Sequence, residues 1–375
     1  MAIQLFVPTF NVDDCLKEIR ECLELGWTGM GYKTLQFEED FKKYTGHKHA
    51  HFLNSATAGL YLAVEIFKEK YNWNDYDEII TTPITFVSTN HSIVLSKLTP
   101  VFTDVDDTLC LDPREVLKNI TPRTKAIMYV GIGGNTGNLK EIIEICHQYK
   151  LKLILDAAHM AGTKYFEKTP GLNADVTVYS FQAVKNLPTS DSGMICFNDS
   201  DLDEVARKKA WLGINKDTFN RSSGGSNYKW YYDVEYFGNK YHGNSITASI
   251  GIAQLKTLNS DNNKRETIAN LYYSELSKLE KISFVHFPHY CKSSRHLFQI
   301  IVPDRDALIS YLNSNDVFPG VHYRNNLEYD LYSKFGNPCP RASRLSTQIL
   351  SLPIHLRLTF DDVNFIISLI KKFMG

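Results

Sequence analysis

The chain has 375 residues, a formal net charge of −1, 43% hydrophobic and 22% charged residues. That balance is the composition of a folded soluble protein, and the even spread of Lys and Arg argues against a nucleic-acid or anionic-membrane partner. The length predicts two domains, or one large domain with an appendage.

Seven cysteines, at 15, 22, 110, 146, 196, 291 and 339, are odd in number and scattered, with no Cys-x-x-Cys pair. They read as reduced thiols of a cytoplasmic protein, not as a disulfide framework or a zinc site. The start, Met1–Pro8, lacks the basic opening of a signal peptide. No apolar stretch approaches the roughly 20 residues of a membrane span.

In chain order, His47, His49 and His51 alternate and would share one face of a strand. With no Cys, Asp or Glu nearby to complete a metal set, they are read as an ordinary strand leading into a turn at 54–59. Asn54–Thr57 reads as a helix start, and Leu60, Ala63, Val64 and Phe67 follow at one-face spacing. Strands are predicted at Glu78–Thr82, Pro100–Asp104, Lys125–Val130, Lys152–Leu155, Val176–Phe181 and Met194–Phe197, with helices near 87–97, 113–119 and 138–150. This rhythm predicts a mostly parallel sheet covered by helices, with ligands at the carboxyl ends of the strands. Residues 215–245, with Trp230, Tyr231 and Tyr232, read as a long loop that shapes specificity or packs a dimer. Helices are predicted at 246–258 and 263–280. A smaller α+β unit follows, with a strand at His296–Val302 and helices at 304–315 and 361–373.

The chemistry concentrates at strand ends. Lys185 lies five residues after Ser180 and 29 after Asp156, which closes an apolar run. A lone lysine after a strand is usually a solvated residue, and a lone aspartate there is usually a helix cap. Together they are what a pyridoxal phosphate (PLP) site needs: an amine for the Schiff base and an acid to keep the pyridine nitrogen protonated. Asn54–Gly59 offers backbone N–H groups and hydroxyls at a helix start, an anion site to which Ser180 can add its hydroxyl. Phe86 follows another strand end, where a ring can stack on a planar cofactor. A competing motif is Gly131–Gly137 with Asp156 beyond it, which imitates a dinucleotide fingerprint and would make the chain an NAD-dependent oxidoreductase. Thr136 stands where the third glycine should be, so a glycine-rich turn is the better reading.

The order of these short motifs resembles the DegT/DnrJ-type nucleotide-sugar aminotransferases, PLP-dependent enzymes of the aspartate-aminotransferase fold (type I). The likeness runs nearly end to end: Gly26–Gly31, Phe37–Phe41, Asn54–Leu60, Thr82–Thr89, Thr99–Asp104, Thr121–Ile127, Asp156–His159 and Ser180–Lys185. It continues through Ala253–Leu255, Gly320–Tyr323 and Leu350–Pro353. It implies a large PLP-binding domain over 1–250 and a small C-terminal α+β domain over 251–375. By the same likeness Lys185 holds PLP and shuttles protons, Asp156 pairs with the pyridinium nitrogen, and His159 bonds near the ring hydroxyl. Phe86 would stack on the ring, Ala56, Thr57 and Ser180 would bind its phosphate, and His322 and Tyr323 would line the sugar pocket.

Two positions depart from the family pattern. Lys240 stands where an Asn reaches across a dimer to the partner's phosphate, and Ser192 replaces a glycine. The resemblance further implies a homodimer with shared active sites that uses L-glutamate and a nucleotide-linked keto-sugar, a 4-keto-6-deoxyhexose, for surface polysaccharide and O-antigen amino sugars. Amination at position 3 versus 4 stays open, as does a sugar-binding protein that kept the fold without activity.

Overall fold

Short β-branched runs alternate with amphipathic helices between residues 49 and 197, and they assemble one sheet. The computed structural model describes residues 2–215 and 232–375. The strands are β1 (His49–Leu53), β2 (Glu78–Thr81), β3 (Thr99–Phe102), β4 (Thr124–Val130), β5 (Lys152–Asp156), β6 (Val176–Ser180) and β7 (Gly193–Phe197). They lie in the order β1-β7-β6-β5-β4-β2-β3. All run parallel except β7, which pairs antiparallel with both neighbours. Parallel neighbours need a crossover, and the helices Val87–Leu95 and Leu139–Tyr149 supply it after β2 and β4. Between β6 and β7 there is only a loop, so the chain turns straight back, carrying Lys185.

Residues alternate between the two faces of the sheet. Ile80, Ile127, Tyr129, Leu155 and Tyr179 enter one core, while Ile79, Ala126, Met128, Ile154 and Val178 enter another. Against the second lies the helix Ala56–Lys70, whose Leu60, Ala63, Val64 and Phe67 are all buried, as their spacing predicts. That helix approaches β6 so closely that a Cβ on Gly59 would sit 2.8 Å from Val178 Cγ1.

The three alternating histidines do not converge. His47 precedes β1 and meets the Tyr179 hydroxyl through Nε2 at 3.2 Å. His51 pairs through Nδ1 with Glu38 at 2.9 Å. Among the described residues no group of three His, Cys, Asp or Glu could hold a metal ion. Glu38 instead ties elements together, accepting from the Phe52 N–H (2.8 Å) and from Arg207 Nη1 (2.9 Å). Burial alone would raise its carboxyl, but Arg207 and His51 hold it below its ordinary value.

The helices Val12–Glu24 and Tyr32–Thr45 were not anticipated; both pack on the nearly buried helix Ser245–Leu255. A boundary at 250/251 falls inside that last helix. The C-terminal part has a three-stranded antiparallel sheet of Ser283–Phe284, Phe298–Ile301 and Ile349–Leu352. Its core of Tyr272, Ile300, Leu308, Leu350 and Ile366 also takes in Ile3, because Ile3–Gln4 pairs with Val317–Phe318. The predicted break near 259–262 is moved: Leu258–Leu276 is one helix, and Asp261 accepts the Thr257 hydroxyl at 2.9 Å in its first turn. Polar residues that read as a breaker serve here as helix-start chemistry. The strand Ile349–Leu352 and the helix Pro340–Gln348 before it were not anticipated. Of the loop at 215–245, Trp230 and Tyr231 lie outside the described residues. Among the described residues no helix is long and apolar enough to cross a membrane.

Phe41 links the N-terminal helices to the sheet, its ring 5.0 Å from Tyr179 and 5.3 Å from Phe181. Phe41→Ala should lower the unfolding free energy by about 3–5 kcal/mol, as large-to-small changes in buried aromatic clusters do. Urea denaturation monitored by circular dichroism measures this, and a change under about 1 kcal/mol would contradict the packing described.

Candidate active site

The register aligns the strand ends. Leu53 faces Gly193, Gly193 faces Ser180, and Asp156 faces both Val178 and Val130. One edge of the sheet thus presents the residues that follow β1, β4, β5 and β6, together with the start of β7. A cavity of about 450 Å³ opens there. Its lining includes Ala56, Thr57, Phe86, Asp156, His159, Ser180, Lys185, His322 and Tyr323. Lys240 does not line it; that side chain is exposed, with Nζ 5.4 Å from the Trp211 ring centroid.

Asp156 is buried at the cavity floor. One carboxylate oxygen takes the Thr89 hydroxyl at 2.8 Å and the other takes the Ala158 N–H at 3.1 Å. Thr89 has a single proton and gives it to Asp156, so in the 2.8 Å contact with Thr85 it is Thr85 that donates. Burial raises the Asp156 carboxyl above its ordinary value, opposed by these hydrogen bonds and by the charge of Lys185. Burial also draws the Lys185 ammonium down to about 8, against the upward pull of Asp156.

His159 is wired at both nitrogens. The Gly133 N–H donates to Nδ1 at 3.1 Å, and Nε2 lies 3.1 Å from the Tyr323 hydroxyl. Burial holds this ring well below its usual titration range, so it is neutral. A neutral ring that accepts at Nδ1 carries its proton at Nε2 and donates it to Tyr323. The ring therefore has no nitrogen left over for a ligand while Tyr323 stays in place. Tyr323 follows His322 across a cis peptide bond and sits 6.1 Å from the exposed Phe86 ring.

The helix Ala56–Lys70 points its N-terminus at the cavity. Ser55 caps it by accepting the Ala58 N–H at 3.1 Å. A Cβ on Gly193 would lie 2.6 Å from the Ala56 nitrogen, so only glycine there leaves that amide accessible. Ser192, the substituted glycine, is buried and binds Thr189 Oγ1 at 2.6 Å through its own hydroxyl.

The glycine-rich turn is no dinucleotide cradle. Gly131–Gly137 is buried throughout. Gly133, Gly134 and Gly137 have positive φ, and a Cβ on Gly134 would meet Ser294 Oγ at 2.6 Å. The turn spends its amide on His159 and leaves no room for a pyrophosphate. Sequence reading missed Phe6, Gln182, Asp191 and His296 in the cavity lining. Phe6 and His296 stack at 5.3 Å and come from opposite ends of the chain, a juxtaposition that no local pattern encodes.

A model of the DegT/DnrJ/EryC1/StrS aminotransferase family matches residues 11–371. The chain belongs to that family. This aminotransferase is 34% identical to the spore coat polysaccharide biosynthesis protein SpsC of Bacillus subtilis, over 95% of this chain and 93% of that one. Among solved structures it is similar to PseC of Helicobacter pylori, an aminotransferase involved in pseudoaminic acid biosynthesis, at 28% identity and a TM-score of 0.92, covering 100% and 99% of the two chains. It is also similar to the aminotransferase TlmJ of Streptoalloteichus hindustanus, at 31% identity and a TM-score of 0.90, covering 99% and 98%. Members of this family are PLP-dependent. The aminotransferase's residues fit that cofactor: an amine, a buried carboxylate and an open helix N-terminus share one cavity.

Only the neutral form of an amine is nucleophilic, so with Lys185 as the expected point of attachment, capture of PLP by the apoprotein should speed up with rising pH and level off above about 8. Asp156→Asn removes the charge that holds the proton on and should move this midpoint downward. Stopped-flow absorbance across pH checks both; a wild-type midpoint near the ordinary lysine value would contradict the burial of Lys185.

Proposed function

We propose that the chain moves an amino group from L-glutamate to a nucleotide-linked keto-sugar, a 4-keto-6-deoxyhexose, with amination at position 3 of the sugar as the alternative. Its place would be in making amino sugars for surface polysaccharides such as O-antigen and lipopolysaccharide, in the cytoplasm. The naming of SpsC for polysaccharide biosynthesis and of PseC for pseudoaminic acid supports this reading. The observation that carries it is the meeting of Lys185, Asp156 and the Ala56–Thr57 helix start around one cavity. Division into a large part over 1–250 and a small part over 251–375 belongs to the same proposal, as does a homodimer with shared sites. Lys240, exposed and outside the cavity of its own protomer, supports a contact with the phosphate in a neighbouring subunit.

PLP, when bound, supplies an aldehyde that accepts the amino group and a ring that withdraws electrons from the reacting carbon. The protein's part is proton control and placement. Asp156 holds a proton on the pyridine nitrogen, and its Thr85–Thr89 hydrogen bonds fix the direction of the carboxylate. Lys185 takes the proton from the substrate carbon and returns it, which its amine can do because burial brings it near neutrality. Ala56, Thr57 and Ser180 bind the phosphate with amides and hydroxyls, and Phe86 covers the ring. His159 orients Tyr323 toward the sugar side, where His322 also lies.

Lys185→Ala should reduce transamination by at least about 10³-fold, in the range for loss of a positioned acid–base group, while leaving the fold intact. Near-normal turnover would refute the assignment. Incubating the enzyme with glutamate and a panel of keto-sugar nucleotides, read by mass spectrometry, tests the substrate class; aminated product with none of them would overturn it.

A further inference from the structure

Beside Lys185 a small recess leads off the main cavity, and one buried guanidinium nitrogen in it has no hydrogen-bond partner among the described residues. Arg265, early in the helix Leu258–Leu276, is only 8% exposed. Its Nη1 is buried without a hydrogen-bond partner among the described residues. The carboxylate that acts on it is Asp261, one turn away, already engaged by Thr257. Burial draws the guanidinium down to about 10, so it remains charged at neutral pH.

A buried guanidinium nitrogen without a hydrogen-bond partner is costly, and a side chain needed for packing alone would be apolar. The recess is lined by Phe6, Val184, Lys185, Arg265, His296 and His355, and it shares four of these with the main cavity. Its room of about 10 Å³ suits a single oxygen atom, neither a sugar nor a phosphate. His355 gives its Nε2 proton to the Gln4 carbonyl at 3.1 Å and cannot supply the missing negative charge.

Among the described residues that line the main cavity, Lys185 is the only Lys or Arg. Lys185 is also the amine that an amino donor displaces, so it cannot hold the donor's carboxylate as well. We propose that Arg265 is the anchor for the α-carboxylate of the amino donor, reached through the recess beside Lys185. The inference rests on the reading of an α-amino acid as donor, and it makes Arg265 a residue of one half-reaction only.

The two half-reactions can be measured separately by cofactor absorbance: glutamate added to the PLP form, and keto-sugar nucleotide added to the pyridoxamine phosphate form. Arg265→Gln should slow the glutamate half by about 10- to 100-fold, the loss of a charged hydrogen bond, and change the sugar half by less than about twofold. The dissociation constant of 2-methylglutamate, which lacks the α-proton, should rise by the same factor. Equal losses in both halves, or no loss in the glutamate half, would overturn the proposal. Should Arg265→Gln fail to fold, Arg265→Lys carries the test on the same criteria, with a loss confined to the glutamate half as the supporting result. A wild type that ignores glutamate refutes the donor reading instead, and the variants are then compared with the α-amino acid that the wild type accepts.

Discussion

A carboxylate and an amine can share one cavity only if something forces two distant stretches of chain together, and here the parallel sheet does so. Asp156 closes β5 opposite Val178, and the chain leaves β6 two residues later at Ser180. The loop that follows must turn back because β7 is antiparallel, and the turn brings Lys185 over Asp156. Removing water from both groups raises the carboxyl and lowers the ammonium, while each charge opposes the shift of the other. The hydrogen bonds that fix Asp156 come from the turn and helix after β2, through Thr85 and Thr89, and from Ala158 just past β5 itself.

A further part of the cavity wall comes from the C-terminal stretch of the chain. His296, His322 and Tyr323 come from it, and Phe6 joins them because the first strand pairs there and not with the central sheet. The buried glycine turn after β4 orients His159 with one amide, and His159 in turn orients Tyr323. A motif that imitates a nucleotide-binding loop is thereby spent on a side-chain relay. The histidines around Lys185 are kept neutral by burial and by nearby positive charge, so the fixed cations of this region are few and each has a definable task.

Much of this was legible in the sequence because the central sheet writes its pattern locally. Period-two runs ending in Asp156 and Ser180, and one-face spacing from Leu60 to Phe67, carry both fold and chemistry. The stripe of Val12–Glu24, with Val12, Cys15, Leu16, Ile19, Cys22 and Leu23 at one-face spacing, was present in the sequence and passed over; of it Cys15 and Cys22 are buried, while Val12, Leu16 and Leu23 are exposed. The polar stretch at 259–262 reads as a break because Asn, Ser and Asp favour turns, yet the same preference suits the first turn of a helix. Long-range partners such as Phe6 with His296, or the burial of Arg265 beside Lys185 in one recess, have no local signature.

The proposed chemistry requires one covalent address for the cofactor. Borohydride reduction of the holoenzyme, followed by proteolysis and mass spectrometry, reads that address directly. The pyridoxyl mass should fall on the peptide containing Lys185 and on no other; its appearance on a different lysine, or its absence, would contradict the site described.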